Sequence, residues 1–236
     1  ILSSFTFYLN ADLKVSLDQE LKTLMPKVIE WRHDIHEYPE LGNREFRTSN
    51  KVKTHLESLG IKVESGIAYT GLVGLIEGGK PGPTIALRAD MDALPVEEKT
   101  GLPFASKVRT TYLGNDVGVM HACGHDGHST MLLGAAQYLA ETRNFDGTVY
   151  FIFQPAEEGG SGAKAMIDDR LFQRFPCDEI YALHNWPGLP EGQFGFNRGA
   201  IMGSSNQFEI TIHGKGGHAA MPHMCTDPVV VASHFI

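Results

Sequence analysis

The sequence predicts an α/β layered sheet, because short apolar strands alternate with helical segments over most of its 236 residues. The apolar run 148–153 and the mostly apolar segment 179–183 are typical of buried strands, and Leu, Met, Val and Ile residues recur at helical spacing over 17–38. Polar clusters follow several of the predicted strands directly. In sheets of this class, functional sites gather beyond the carboxyl ends of the strands.

Each element of this sheet has a local signal. The first helix, 17–38, ends at Pro39, and the second runs from Arg44 to Leu59, with Gly60 in the position that closes a helix. The other predicted elements are strands from Ile61 and over 72–76, 84–88, 148–153 and 179–183, and helices over 129–139 and 162–168.

The pattern changes near Ser204, where residues 207–213 alternate with period two, as in a half-exposed strand. We therefore expect a larger domain over 12–203 and the start of a smaller domain over 204–236. The final segment begins like an apolar helix at Asp227 and then stops, so we expect a chain cut within the smaller domain. At the other end, residues 1–11 favour a leader or tag remnant over a signal-peptide stump.

Composition excludes several classes of protein. Hydrophobic residues make up 42% of the chain, which is enough for a core, and the net charge of −8 argues against a nucleic-acid surface. No apolar run approaches the roughly 20 residues of a membrane helix. Three cysteines cannot all pair internally, so the chain is not a disulfide scaffold, and we expect a cytoplasmic location.

The segment from His121 to His128 holds three histidines, one cysteine and one aspartate. Cys123 and His125 lie two residues apart in a predicted loop, and thiolate and imidazole are ligands suited to zinc and similar metals. For this pair taken alone, a structural interpretation has about the same weight as a metal site: a buried cysteine beside polar residues that cap a helix. The density of ligand side chains favours a metal.

Glu157 and Glu158 follow a predicted central strand. Two adjacent carboxylates are costly to bury unless a cation or proton neutralises them, although a solvated turn is the alternative. One of them would suit a metal, and its neighbour would suit a general base.

Three further residues are candidates with structural alternatives. His184 follows another apolar strand, where a single histidine is more often structural than a ligand. His218 follows a glycine turn and would suit a hydrogen bond to substrate, or a plain surface loop. Asp92 would suit a carboxylate that orients a ligand imidazole, and Asp90 has a weaker claim to that role.

Together the motifs RADMDALP, MHACGHDGH, FQPAEEGG, LHNWPG and GKGGHAAMPH identify a resemblance. The chain resembles the metal-dependent amidohydrolases of the aminoacylase/carboxypeptidase G superfamily. Within them it is most similar to the branch of hippurate hydrolases and N-acyl-amino-acid amidohydrolases, which includes plant auxin-conjugate hydrolases. The match runs from about residue 20 to the last residue and includes the opening segment WRHDIHEYPELG.

The resemblance implies a zinc-peptidase-like three-layer catalytic domain with a mixed central sheet, and a smaller α+β lid that mediates homodimerisation. It implies that Cys123 bridges two divalent ions, while His125, Glu158 and His184 are metal ligands. Glu157 would be the general base, His218 would stabilise the oxyanion, and Asp92 would support the ligands. Members of the family are longer and carry one more ligand histidine near the C-terminus, in a segment that this chain lacks.

The implied reaction is metal-dependent hydrolysis of small N-acyl amino acids to a carboxylic acid and an amino acid. Zinc or manganese, or else cobalt or nickel, would suit these ligands. Two alternatives are a structural metal-binding module without turnover and an inactive dimerisation protein on the same fold. No membrane or nucleic-acid partner is expected.

Overall fold

A computed structural model describes residues 11–204 and 206–235 of the chain, with side chains from residue 17 onward. It confirms the α/β class and the mixed central sheet. The prediction for residues 1–11 lies almost entirely outside the described residues. The chain divides into two compact units after Pro187. The catalytic and lid roles assigned from the sequence stay predictions.

The first unit carries the sheet and most of the helices. Its described elements are α1 (Ala11–Glu37), α2 (Phe46–Ser58), β1 (Lys62–Ile67), β2 (Gly71–Glu77), β3 (Thr84–Asp90), β4 (Arg109–Tyr112), β5 (Asn115–Gly118), α3 (His125–Thr142), β6 (Thr148–Gln154), α4 (Gly162–Asp168), α5 (Leu171–Arg174) and β7 (Glu179–Ala182). The β4–β5 hairpin and the short helix α5 were not predicted.

Five strands form the central sheet in the order β1-β2-β6-β3-β7. β2 pairs antiparallel with β1 and β6, whereas β3 runs parallel to both β6 and β7. The register of the parallel pair sets Asp90 beside Gln154. The carboxyl ends of β3, β6 and β7 therefore point to the same edge of the sheet.

Helices cover both faces of this sheet, because successive side chains of a strand point to opposite sides. Phe151 and Phe153 of β6 pack in one core cluster with Val52 of α2 and Leu133 of α3. Ile152, between them in sequence, packs in the opposite cluster with residues of α4 and α5. Each fully buried apolar side chain contributes about 1.5–3 kcal/mol, so the three-layer packing stabilises the sheet that positions the site.

Helix α1 begins at Ala11, six residues before its predicted start, and two further local predictions were wrong in the first unit. Helix α3 begins at His125, four residues before the predicted start at Ser129, because Gly124 adopts φ +93° and its carbonyl accepts hydrogen bonds from the amides of Gly127 and His128. Strand β7 is exposed along all four residues, although a buried strand was predicted. Among the described residues β7 is an edge strand of the sheet, so its side chains remain exposed although its sequence is mostly apolar.

The second unit contains a 3-10 turn (Pro222–Met224) and α6 (Pro228–Ser233), whose first turn is capped by the Asp227 carboxylate on the amide of Val229. The helix expected after Asp227 is therefore confirmed. The strand predicted over 207–213 is wrong, since the described residues offer no partner strand to satisfy its backbone groups. Within the described ranges, no helix has the length and apolarity to cross a membrane.

Candidate metal centre

Four loops meet at the edge where β3, β6 and β7 end. The segments after β3 and β6 carry Asp92 and the Glu157–Glu158 pair, and the segment after β7 carries His184. The turn before α3 supplies Cys123, and the first residue of that helix is His125. Parallel pairing of the three strands therefore brings together chemical groups that are far apart in sequence.

The predicted metal ligands form one cluster. Sγ of Cys123 lies 3.4 Å from Nε2 of His184, and donor atoms of these two residues and His125 all lie within 4.8 Å of one another. His125 belongs equally to a second group with Glu157 and Glu158, whose donor atoms meet the same limit. The imidazole of His125 therefore links a thiol–imidazole group to a carboxylate group.

Asp92 contacts both of these groups. Its Oδ1 lies 3.2 Å from Nδ1 of His125, and its Oδ2 accepts a hydrogen bond of 2.9 Å from the backbone amide of Glu158. Since a carboxylate can only accept, Nδ1 of His125 carries a proton, and Nε2 is the nitrogen that remains for a metal. An imidazole held in this way would present Nε2 to a metal.

Two buried atoms at the cluster have no hydrogen-bond partner among the described residues: Nε2 of His125 and Oε1 of Glu158. They lie 3.8 Å apart, a separation that one bound ion can bridge. A bound divalent cation would satisfy both at once, and imidazole, carboxylate and thiolate together suit zinc and similar metals. The residues present therefore fit a metal.

The electrostatics of the cluster favour the same occupant. Burial raises the pKa of the Cys123 thiol to about 12, and the nearby Glu158 carboxylate adds to the effect. Burial also raises the pKa of Glu158. Negative charge is thus disfavoured here until a cation is present, which reverses the balance.

Glu157 occupies a more open position than its neighbour. Its side chain is 42% exposed, compared with 21% for Glu158, and its Oε2 lies 3.8 Å from Nε2 of His125. A carboxylate that borders the cluster and still reaches solvent can exchange protons with water. This position suits a general base better than a closed ligand.

A second buried network, which the sequence interpretation largely missed, supports the loop of His184. Nδ1 of His128 lies 2.7 Å from Oδ1 of Asp90, whose other oxygen accepts a bond from Arg88, and Nε2 of His128 accepts the backbone amide of Asn185 at 2.9 Å. Burial alone would raise the pKa of Asp90, but the bond with His128 and the charge of Arg88 outweigh it and lower the pKa to about 2.

This network anchors the backbone next to His184, since Asn185 is the following residue. Asp90, His125 and His128 also lie close enough to hold an ion. Because Oδ1 of Asp90 is already bonded to His128, we interpret Asp90 and His128 as support for the cluster. The segments RAD and HDGH supply the residues of this network, but no local pattern predicts that Asp90 contacts His128, which is 38 residues away.

A third network fixes the start of α3 against α1. Oδ2 of Asp126 lies 2.9 Å from Nδ1 of His36 and 3.1 Å from Nε of Arg32. The hydrogen bond with Asp126 raises the pKa of His36 despite its burial. Burial alone would raise the pKa of Asp126, but the same hydrogen bond helps to lower it to about 2. His125, which follows the cap of α3, is thereby held on a rigid helix start.

His218 lies in the second unit, where its exposed ring accepts a hydrogen bond of 3.2 Å at Nδ1 from the amide of Ala220. Its predicted contact with substrate stays a prediction. The other six predicted site residues lie together in the first unit.

The chain is similar to known hydrolases. The profile of "Peptidase family M20/M25/M40" matches residues 86–233, which is more than half of the chain. Hippurate hydrolase of Campylobacter jejuni is 45% identical over 222 residues, covering 94% of this chain and 56% of that protein. N-acetyl-L-cysteine deacetylase of Bacillus subtilis is 44% identical over 217 residues, covering 92% and 50%.

Solved structures agree with these relatives. The Bacillus subtilis YXEP protein, described as a dinuclear metal binding peptidase, superposes with a TM-score of 0.64 at 42% identity, over 72% of this chain and 45% of that one. A putative aminohydrolase of Staphylococcus aureus gives a TM-score of 0.74 at 34% identity, over 93% and 56%. The chain spans about half the length of the curated relatives that it matches.

Proposed function

This chain belongs to the peptidase family M20/M25/M40, and on that premise we propose that it carries most of the active site of a metal-dependent amidohydrolase acting on N-acyl amino acids. The observation that carries the proposal is the pair of buried atoms without a hydrogen-bond partner, Nε2 of His125 and Oε1 of Glu158, beside the thiol of Cys123 and the imidazole of His184. A solvated turn would leave these atoms in contact with water, and a packed apolar core would exclude them.

The metal ligands in this proposal are Cys123, His125, Glu158 and His184, and two divalent ions would be held. Zinc or manganese suits the donors, and cobalt or nickel is an acceptable substitute. Divalent ions bound there would polarise the amide carbonyl and make water acidic enough to ionise near neutral pH.

The residues of the chain then move the protons. Glu157 accepts a proton from the attacking water, whose oxygen bonds to the acyl carbon, and later gives that proton to the leaving amine nitrogen as the C–N bond breaks. Asp92 keeps the proton of His125 on Nδ1 throughout. His218 donates a hydrogen bond to the oxyanion. The products are a carboxylic acid and a free amino acid.

Substrate class follows from the relatives and from the open side of the cluster. The names of two relatives refer to hippurate and N-acetyl-L-cysteine, which are both N-acyl amino acids. We propose small hippurate-like substrates for this chain. The half-exposed Glu157 also argues against a purely structural metal site, which needs no carboxylate open to solvent.

Assembly and location belong to the same proposal. Several phenylalanines of the second unit are strongly exposed, among them Phe194, Phe196 and Phe208. Large apolar side chains exposed in this way would gain free energy from burial against a second copy, which supports the proposal of a homodimer. The three cysteines are free, which supports a reducing, cytoplasmic location.

The direct test is Glu157→Gln in the protein that contains this chain, assayed against N-benzoyl and N-acetyl amino acids. The amide keeps the size of the side chain but cannot take the proton, so we expect metal content to stay the same and turnover to fall by about 10²–10⁴-fold. Glu191→Gln, an exposed glutamate of the second unit, is the matched control and should keep full activity.

Turnover by Glu157→Gln close to that of the unchanged protein would remove Glu157 from its role as base. Bound metal with no hydrolysis of any substrate would favour the structural metal module. Absence of stoichiometric metal would favour the inactive dimerisation protein.

A further inference from the structure

Glu45 is a fully buried carboxylate whose partners lie outside its own helix. Its exposure is 0%, and it immediately precedes α2 without capping that helix through its side chain. One oxygen accepts a hydrogen bond of 2.6 Å from the hydroxyl of Thr70, and the other accepts one of 2.8 Å from the backbone amide of Ala156. Burial of a carboxylate is costly, so these two bonds offset a large desolvation penalty.

Ala156 is a strained residue directly before Glu157. Its φ is +48°, a left-handed conformation that costs about 1–2 kcal/mol for a residue with a Cβ atom. The turn is also closely enclosed, since a Cβ atom on Gly42 or Gly160 would lie 3.0 Å or 2.6 Å from atoms of Ala156. Strained backbone of this kind persists only where the surroundings hold it in place.

Two buried carboxylates hold the backbone on either side of Glu157. Glu45 accepts the amide of Ala156, and Asp92 accepts the amide of Glu158. The direction in which Glu157 and Glu158 point is therefore set by two hydrogen bonds that main-chain amides donate to buried carboxyl groups. Asp92 performs this function beside the metal cluster, whereas Glu45 performs it from the opposite end of the turn.

We propose that Glu45 is a positioning residue for the reaction: its bond to the Ala156 amide fixes the strained turn that aims Glu157 at the attacking water and Glu158 at the metal. This inference rests on the proposed function. Glu45 acts only through the backbone of Ala156 and takes no proton from substrate. Its effect is geometric, and an uncharged acceptor of the same size can replace it.

The test compares three variants in the metal-loaded protein. Glu45→Met keeps the volume but removes both acceptors, so kcat should fall on the order of 10²-fold with KM nearly unchanged, as expected when a reacting group is displaced by about 1 Å. Glu45→Gln should recover most of that loss. Its carbonyl can accept the Ala156 amide while its NH₂ group donates to the hydroxyl of Thr70.

Thr70→Val is the matched control, since it removes the other hydrogen bond of the same carboxylate at a site that is only 2% exposed. It should lower the melting temperature as Glu45→Met does but leave kcat within a few-fold of the unchanged protein. If Glu45→Met does not fold, Glu45→Asp takes its place, because the shorter side chain cannot span Thr70 and Ala156, and the same fall in kcat at constant KM is expected.

Amide hydrogen exchange in the metal-free protein supplies a readout that does not need activity. Exchange at Ala156 should be faster in Glu45→Met and unchanged in Thr70→Val. Equal loss of kcat in Thr70→Val and Glu45→Met, or unchanged kcat in Glu45→Met, would overturn the inference. If the unchanged protein hydrolyses no substrate, the proposed function fails. Exchange at Ala156 then decides separately whether Glu45 holds the turn.

Discussion

Replacement of Asp92 by asparagine tests the support of the metal centre most sharply. The side chain is fully buried, and its two oxygens serve Nδ1 of His125 at 3.2 Å and the amide of Glu158 at 2.9 Å. Asparagine offers only one oxygen. If the oxygen faces Glu158, the NH₂ group faces Nδ1 of His125 and moves the ring proton to Nε2, where it blocks coordination.

The opposite orientation of the introduced amide is no better, because two N–H donors would then face each other at Glu158. Loss of a carboxylate that orients a ligand imidazole typically weakens metal binding by about 10–100-fold, which is about 1.4–2.7 kcal/mol. We expect that loss for zinc in Asp92→Asn, measured by competition with a chromophoric chelator near neutral pH.

The matched control is Asp116→Asn, which replaces an exposed aspartate of β5 that pairs with Arg109. Its zinc affinity should equal that of the unchanged protein. Zinc affinity of Asp92→Asn within about twofold of the unchanged protein would refute the reasoning that Asp92 sets the tautomer of His125.

Three further predictions follow from buried groups. His128→Phe removes the bonds to Asp90 and to the Asn185 amide, so zinc affinity should fall about tenfold, and an unchanged affinity would show that the loop of His184 needs no such anchor. The pKa of Asp126 is about 2 against an ordinary 3.8, so about 2 kcal/mol of folding stability should be lost as pH falls from about 4 to 2. Urea unfolding of Asp126→Asn should not show that loss. The same loss of stability between about pH 4 and 2 in Asp126→Asn would contradict the prediction. Phe151→Ala should lower the free energy of unfolding by about 3–5 kcal/mol, since the ring is fully buried between β6 and the helices, and a loss below about 1 kcal/mol would show that the site relaxes around the cavity.

Those parts of the fold that rest on local patterns were predictable. The apolar run of β6 and the helical spacing of α2 and α4 gave their positions to within two residues, because burial of one face imposes a period on the sequence. Glu157, Glu158 and His184 each follow a predicted strand in the sequence, and the structure places them at the same edge of the sheet. Chain direction and sheet order alone bring these residues together.

The remaining features depend on partners that no local pattern records. β7 has an apolar sequence but lies at an edge, and 207–213 alternates without a strand to pair with among the described residues. The early start of α3 depends on a positive φ at Gly124. Glu45 and Ala156 are 111 residues apart, so only the folded chain shows that one holds the other.

The most direct test of the account is the visible spectrum of the cobalt-loaded protein, with and without Cys123→Ser. If Cys123 holds the divalent ions together with His125, Glu158 and His184, cobalt should give an intense thiolate-to-metal absorption in the near ultraviolet that Cys123→Ser abolishes. A cobalt spectrum without that band, or one that Cys123→Ser leaves unchanged, would show that the thiol does not ligate the metal, in contradiction of the proposed centre.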